Sequence, residues 1–122
     1  MAAYLKPEIQ AFTAGADLSA LQYSFVKFGA DLEKVVGCGN DEIPMGILMN
    51  APTSGQMAEV AVAGGAKLKS SGVIGLNASI GSAASGQGKA ITTGAAFAVA
   101  MQDAVQNDVI AVIIDRHVGR SV

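Results

Sequence analysis

At a fixed spacing of 52 residues, two stretches of this chain follow one pattern. The first runs from Pro44 to Val62. It reads as an apolar run, Pro-Met-Gly-Ile-Leu-Met-Asn, a turn, Ala-Pro-Thr-Ser-Gly-Gln, and an alternating return, Met-Ala-Glu-Val-Ala-Val. The second runs from Phe97 to Ile114, with Asp-Ala-Val-Gln-Asn-Asp in the place of the turn. At this spacing Met49 falls on Met101, Val60 on Val112, Ile47 on Val99, Asn50 on Gln102 and Gly55 on Asn107. Identities are few, so the match is one of residue character. Pro52 early and Gly55 late in the first turn suit a fixed negative φ followed by a positive one. Each copy therefore predicts strand, turn and strand, and the pair predicts two similar β units closing around one core.

The rest of the composition fits that frame. A chain of 122 residues is one domain by length. It is long enough to bury roughly two-thirds of its unfolded surface. Aromatic residues are only 5% and Trp is absent, so the core falls to Val, Ile, Leu, Met and Ala, with Phe12, Phe25, Phe28 and Phe97 as the large rings. The 15 glycines suit tight strands and frequent turns. The net charge of −2 implies no partner, and the basic residues Lys67, Lys69, Lys89, Arg116 and Arg120 are scattered. They form no aromatic-interleaved basic patch, which argues against nucleic acid as a partner. The single Cys leaves no intrachain disulfide and favours assembly in a reducing compartment. The N-terminus lacks the basic-then-apolar pattern of a secretory signal. The most apolar window, 94–114, is interrupted by Gln102, Asp103, Gln106, Asn107 and Asp108, which argues against a simple membrane span.

Taken in order, residues 1–16 form a candidate arm with Tyr4, Leu5, Ile9 and Phe12 as sizeable apolar side chains. Asp17 could cap a short helical turn through Leu21. Residues 22–28 and 34–38 predict a hairpin. After the Pro44–Val62 unit, Gly64-Gly65 is expected to end the strand, and 66–69 to form a separate short one. Residues 73–77 are apolar but broken by Gly75. A small-residue loop spans 81–88, and Lys89 to Thr92 resumes a strand. Val109 to Ile114 is apolar on both faces, as in a strand covered on both sides. A helix over 95–106 is the competing assignment on propensity, and the repeat favours a strand. The segment 116–122 reads as a polar tail.

No catalytic constellation emerges. Gly81 to Lys89 resembles a phosphate loop but has Ala83 where the first Gly is needed and Ala90 where Ser or Thr is needed. His117 is the only histidine, and with one Cys it supplies too few ligands for a metal site. Cys38 has neither a base nor positive charge beside it in sequence, and reads as a small buried hydrophobe. The acidic pairs Asp31/Glu33 and Asp41/Glu42 sit in expected loops. The expectation is a non-enzyme without cofactor or metal.

The run Met45-Gly46-Ile47-Leu48-Met49-Asn50-Ala51-Pro52-Thr53-Ser54-Gly55-Gln56, followed by Glu59 to Gly65, resembles the central signature of small tailed-phage capsid decoration, or cement, proteins. In that family a G-x-L-x-N-x-P-x-x-G hairpin feeds an alternating strand. Leu18 to Lys27 is similar to the family's opening segment, so the resemblance covers about residues 17–115. One departure is Ser82, where the family usually has an acid after the Gly. The motif is made of turn and core residues and so speaks to fold more than to function.

The resemblance implies an all-β fold, a small β-barrel or β-sandwich of two similar hairpin units with room for one short helix. It also implies a virion protein on the capsid exterior, assembled in the host cytoplasm. Such a protein binds the major capsid protein, bridges capsomers and stabilises the shell. A homo-oligomer is expected, a trimer first and a dimer as the alternative, with no nucleic acid and no membrane. The expected layout is an arm over 1–16, a β domain over 17–115 and a tail over 116–122. Candidate capsid or subunit contacts are Tyr4, Leu5, Ile9, Phe12, Arg116, His117 and Arg120. The competing reading is a small β-barrel module that binds a ligand or carbohydrate.

Overall fold

The computed structural model describes residues 6–29, 33–92 and 96–117. Within them the chain is all-β. It forms nine strands: β1 (Pro7–Ala14), β2 (Phe25–Phe28), β3 (Lys34–Gly37), β4 (Gly46–Leu48), β5 (Met57–Lys69), β6 (Ser79–Ser82), β7 (Gly88–Ala90), β8 (Ala96–Ala100) and β9 (Val109–His117). A one-turn 3-10 segment, Ala84–Gly86, is the helical element among the described residues. The strands join in one sheet of order β1-β3-β2-β4-β5-β9-β8-β6-β7. Read from β5 and β9 outward, β4-β2-β3 on one side answers β8-β6-β7 on the other.

The two hairpins match in register. In the first, Ile47 pairs with Ala61 and Leu48 with Val60. In the second, Val99 pairs with Ile113 and Ala100 with Val112, each 52 residues on. The turns match as well. The Asn50 side-chain oxygen accepts the Glu59 N–H at 3.0 Å, and the Gln102 oxygen accepts the Ala111 N–H at 3.1 Å. The Thr53 N–H donates to Gln56 Oε1, and the Val105 N–H to Asp108 Oδ2. Gly55 and Asn107 both have positive φ, +84° and 70°. Glycine adopts that conformation freely, and Asn is among the side chains that tolerate it best.

The equivalence extends beyond the hairpins with a drifting offset. The β2–β4 pairs Phe25/Ile47 and Val26/Gly46 correspond to the β6–β8 pairs Ser79/Val99 and Ile80/Ala98. On the β2 and β6 side the spacing is 54 residues. At the closing strands it becomes 56: Thr13 pairs with Met57, and Lys69 with Val109.

β5 belongs to both units. Its first half pairs with β4 and β1, and its second half with β9. The hand-off is Gly64, which pairs with Pro7 on one edge and Ile114 on the other. Because β1 pairs with both β3 and β5, the first unit closes into a ring of five strands. In the second unit the end of β5 takes β1's role, and the parallel bridge Ser70–Gly88 closes the ring. Gly64-Gly65 therefore does not end the strand. It carries one long strand from one unit into the next, and residues 66–69 are its continuation.

Two cores result instead of one. Ala14, Leu18, Val26, Val35, Leu48, Ala58 and Val60 fill the first ring. A larger cluster fills the second ring with Leu68, Ile74, Ile80, Ile110 and Val112, and extends into the seam between units. There Phe25 and Phe97 meet edge to face at 5.5 Å between ring centres. Ile47 and Ala61, on the outer side of the first ring, are buried in the same seam. Residues 7–14, read from sequence as part of an arm, are a strand of the first ring, and 115–117 belong to β9. Asp17 caps no helix; its carboxylate accepts the Ser19 N–H at 3.1 Å in a local turn. Residues 73–77 are likewise a loop, tied by the bridge Ile74–Ala104.

Two substitutions test this arrangement. Gly55 and Gly64 share a positive φ, but a Cβ at Gly55 meets open space while one at Gly64 collides with the Lys6 carbonyl. Gly55→Ala should cost about 1–2 kcal/mol for the backbone conformation alone. Gly64→Ala should cost clearly more in urea denaturation, and equal costs would contradict the hand-off. Phe97→Ala removes a fully buried seam ring and should cost about 3–5 kcal/mol. Both units should then melt together in a single calorimetric transition.

Candidate functional site

The polar chemistry of the molecule collects in the loop between β3 and β4, where the units meet. Glu42 folds back so that its carboxylate accepts the Gly39 N–H at 2.6 Å and an ion pair from Lys27 at 2.8 Å. The neighbouring Asp41 has positive φ, 63°, and pairs with Lys89 at 2.6 Å. Lys89 also donates to the Asn40 side chain at 2.8 Å. The Ser82 hydroxyl donates to the Gly39 carbonyl at 2.8 Å, and the Asp41 N–H to the Ser82 carbonyl at 2.9 Å. Ser82, the departure from the decoration-protein pattern, thus stitches the second unit to the first.

These partners explain the charges. The Lys27 ammonium and the Gly39 N–H hold the Glu42 carboxyl below its ordinary range. The hydrogen bond to Glu42 raises Lys27 in turn. Burial pushes the Cys38 thiol up, the setting of an inert structural cysteine. The would-be phosphate loop is spent the same way. Gly81 and Ser82 pair with Lys89 and Gly88 in a strand ladder, and the Lys89 ammonium is engaged by Asp41 and Asn40. Among the described residues no group of three or more His, Cys, Asp or Glu side chains is placed to hold a metal.

An open depression of about 520 Å³ lies along the junction of β5 and β9, lined by Tyr23, Lys67, Gln102, Val109, Ile110 and Ala111. Tyr23 has positive φ, 66°, a strained conformation for an aromatic residue. The Lys67 ammonium stands 5.9 Å from the centre of its ring. The Tyr23 carbonyl accepts the Lys69 N–H at 2.7 Å.

Of the contact residues expected from sequence, Ile9 and Phe12 lie on β1. Ile9 is exposed, whereas Phe12 leans on the first core and meets the Phe28 ring edge to face at 5.5 Å. The backbone of Arg116 and His117 is in β9, and His117 pairs with Ala96. Tyr4, Leu5 and Arg120 lie outside the described residues. β1 and β9 flank β5 on opposite edges at Gly64, which sets the two terminal strands about 10 Å apart there.

Sequence reading missed three strongly exposed apolar side chains. Val73, Leu76 and Val105 stand on the two loops at one end of the second ring. For Val73 and Leu76 the signal was the adjacent Gly72 and Gly75, which reads equally well as a short strand; Val105 carried no such mark.

No family model matches the chain, and no curated protein matches its sequence. Among solved structures, the fold is similar to a component of a phage head. That structure is the N base of the head fiber protein gp8.5 of bacteriophage phi29. It matches with a TM-score of 0.71, covering 94% of this chain and 98% of that one, at 16% identity. At that identity the likeness is one of fold.

The Lys27–Glu42 pair sets a pH dependence. Glu42 contributes stability that is present above the pH where an unfolded-chain glutamate ionises, and lost as pH falls through its lower folded value. Lys27 contributes below the unfolded lysine value, and that contribution is lost as pH rises through its raised folded value. Glu42→Gln should therefore flatten the acid limb of melting temperature against pH. The difference should shrink in high salt, since both groups are exposed to water. An acid limb identical to that of the wild type would contradict the role given to Glu42.

Proposed function

We propose that this protein is a virion structural component that binds the outer surface of a phage capsid and stabilises the shell by bridging capsomers. The observation that carries this reading is the fold likeness, which runs over nearly the whole of both chains, to the base of a phage head fiber. The hairpin motif Gly46–Gly55 supports it through its resemblance to capsid decoration proteins. Physical properties agree. The described residues form two closed rings with filled cores that meet at a buried seam, a compact body of the kind a scaffold needs. Decoration asks for no chemistry. It asks for modest contacts repeated over many equivalent positions, where multivalency turns weak sites into firm attachment. The partner is then the major capsid protein, on the exterior of the virion, with the protein acting as a homo-oligomer, a trimer in the first instance.

The depression beside Tyr23 and Lys67 supports a second reading, a ligand-binding module. Its polar groups are already used internally: Gln102 accepts the Ala111 N–H, and Lys67 sits over the Tyr23 ring. A ligand site needs convergent polar groups that are free to orient a guest.

Mixing the purified protein with undecorated capsids and imaging them tests the first reading. Ordered density at fixed positions on the outer surface is expected, together with a higher temperature for shell disruption. Bare shells in the presence of excess protein would overturn it.

A further inference from the structure

The two units provide an internal comparison of surface residues on one scaffold. At the end of each ring, the loop before β2 or β6 lies beside the turn of the hairpin, and matching hydrogen bonds align the two copies. The Leu18 N–H donates to the Pro52 carbonyl, and the Ile74 N–H to the Ala104 carbonyl. The Tyr23 N–H donates to the Leu48 carbonyl, and the Asn77 N–H to the Ala100 carbonyl, and both Tyr23 and Asn77 have positive φ. This alignment places Asp17 on Val73, Gln22 on Leu76 and Thr53 on Val105. The first unit thus carries three polar residues where the second carries three aliphatic ones. Val73, Leu76 and Val105 are 79%, 56% and 58% exposed. The first ring closes with polar residues at these places, Asp17 accepting the Ser19 N–H and Gln22 donating to the Met49 carbonyl, so closing a ring does not call for apolar ones. Bridging backbone bonds join the two loops: Ile74 and Ala104 exchange N–H groups and carbonyls, and the Leu76 N–H donates to Asp103 Oδ1 at 2.8 Å. The three side chains therefore ride on one braced tip.

We infer that this tip is the docking knob through which the protein engages the capsid, inserting Val73, Leu76 and Val105 into an apolar depression of the shell surface. The inference rests on the capsid-decoration reading. Size selects the occupant. A stable pair of free proteins buries about 800 Å² on each partner, far more than three aliphatic side chains present. On a shell, the linked copies of the homo-oligomer proposed above make this contact at several equivalent positions at once, and that linkage lets contacts this small hold. Charge adds a constraint. The exposed acids at the tip, Asp103 and Asp108, sit beside the knob and accept the Leu76 and Val105 N–H groups. The rim of the receiving depression is therefore neutral or basic.

The test installs the first unit's residues in the second: a Val73→Asp, Leu76→Gln, Val105→Thr triple variant, with Leu76→Gln alone as a milder change. Each is titrated onto cognate undecorated capsids and followed by co-sedimentation, beside melting curves and light scattering. The triple variant should need at least tenfold more protein for half-saturation, and the single variant an intermediate amount, with melting temperatures near wild type. Should the triple variant fail to fold, the single variant decides by the same shift. If the folded variants coat shells as the wild type does, the tip inference falls and capsid decoration stands. If the wild type itself leaves shells bare, the decoration reading falls and takes the tip's partner with it. If the triple variant loses an oligomeric state that the wild type holds, the tip faces a second copy, and its assignment to the shell is overturned.

Discussion

The hand-off of β5 at Gly64 is the constraint on which the rest of the structure depends. A strand has two edges, and a ring uses both. β5 gives both edges of its first half to one ring; its second half pairs with β9, and the Ser70–Gly88 bridge just past its end closes the other ring. For this, the chain must let β1 leave and β9 arrive at one residue. That residue has positive φ and a neighbouring carbonyl in the space a Cβ would occupy. Glycine meets both conditions at once. Sharing the strand also hides sheet edges that two separate small sheets would expose to unwanted pairing.

Sharing brings the two rings close, and the seam turns closeness into rigidity. The outer side of the first ring contributes Phe25, Ile47 and Ala61, and the second unit answers with Phe97 and Ala98. Neither ring is large, and a small domain leaves much of its surface wet. The seam gives the outward faces of the first ring a second layer of burial. Polar groups then fix the angle. Ser82 and Lys89 of the second unit reach the Gly39–Glu42 loop of the first, and Lys27 holds Glu42 in place. Each exposed pair contributes little alone. Together they set one arrangement of an interface whose apolar part has no strong directional preference.

A duplicated scaffold separates what folding needs from what it does not. Where the two units agree in residue character, as at Asn50 and Gln102 or Gly55 and Asn107, the shared element is a backbone requirement of the turn. Where they disagree on the surface, each ring closes with its own residue, so neither residue type is required by ring closure. The aliphatic tip of the second unit is such a disagreement, and so is the Tyr23–Lys67 contact, where Asn77 occupies the matching left-handed position without an aromatic ring.

The hairpins were legible in the sequence because their causes are local. Pro52 and Gly55 fix turn dihedrals, alternation in 57–62 marks a half-buried strand, and the 52-residue echo joins the two units in register. The all-β class, the hairpin of β2 and β3, and the buried character of Cys38 follow from the same short-range rules. The candidate site was scarcely legible. Whether Val73 and Leu76 face a core or the solvent depends on which strands stand beside them, and composition is silent on that. Gly64-Gly65 is equally ambiguous, since a positive φ ends one strand and bends another. The full repeat was hidden because its spacing drifts from 52 to 54 to 56 residues, so no single offset aligns it. The sequence by itself determined the strands, the turns and the pairing of the two hairpins, which rest on torsional preference and side-chain alternation. Only the tertiary structure decided the shared strand, the two cores, the seam and the exposed tip. Each of these is a contact between residues far apart in the chain, fixed by hydrogen-bond pairing and packing that no local pattern encodes.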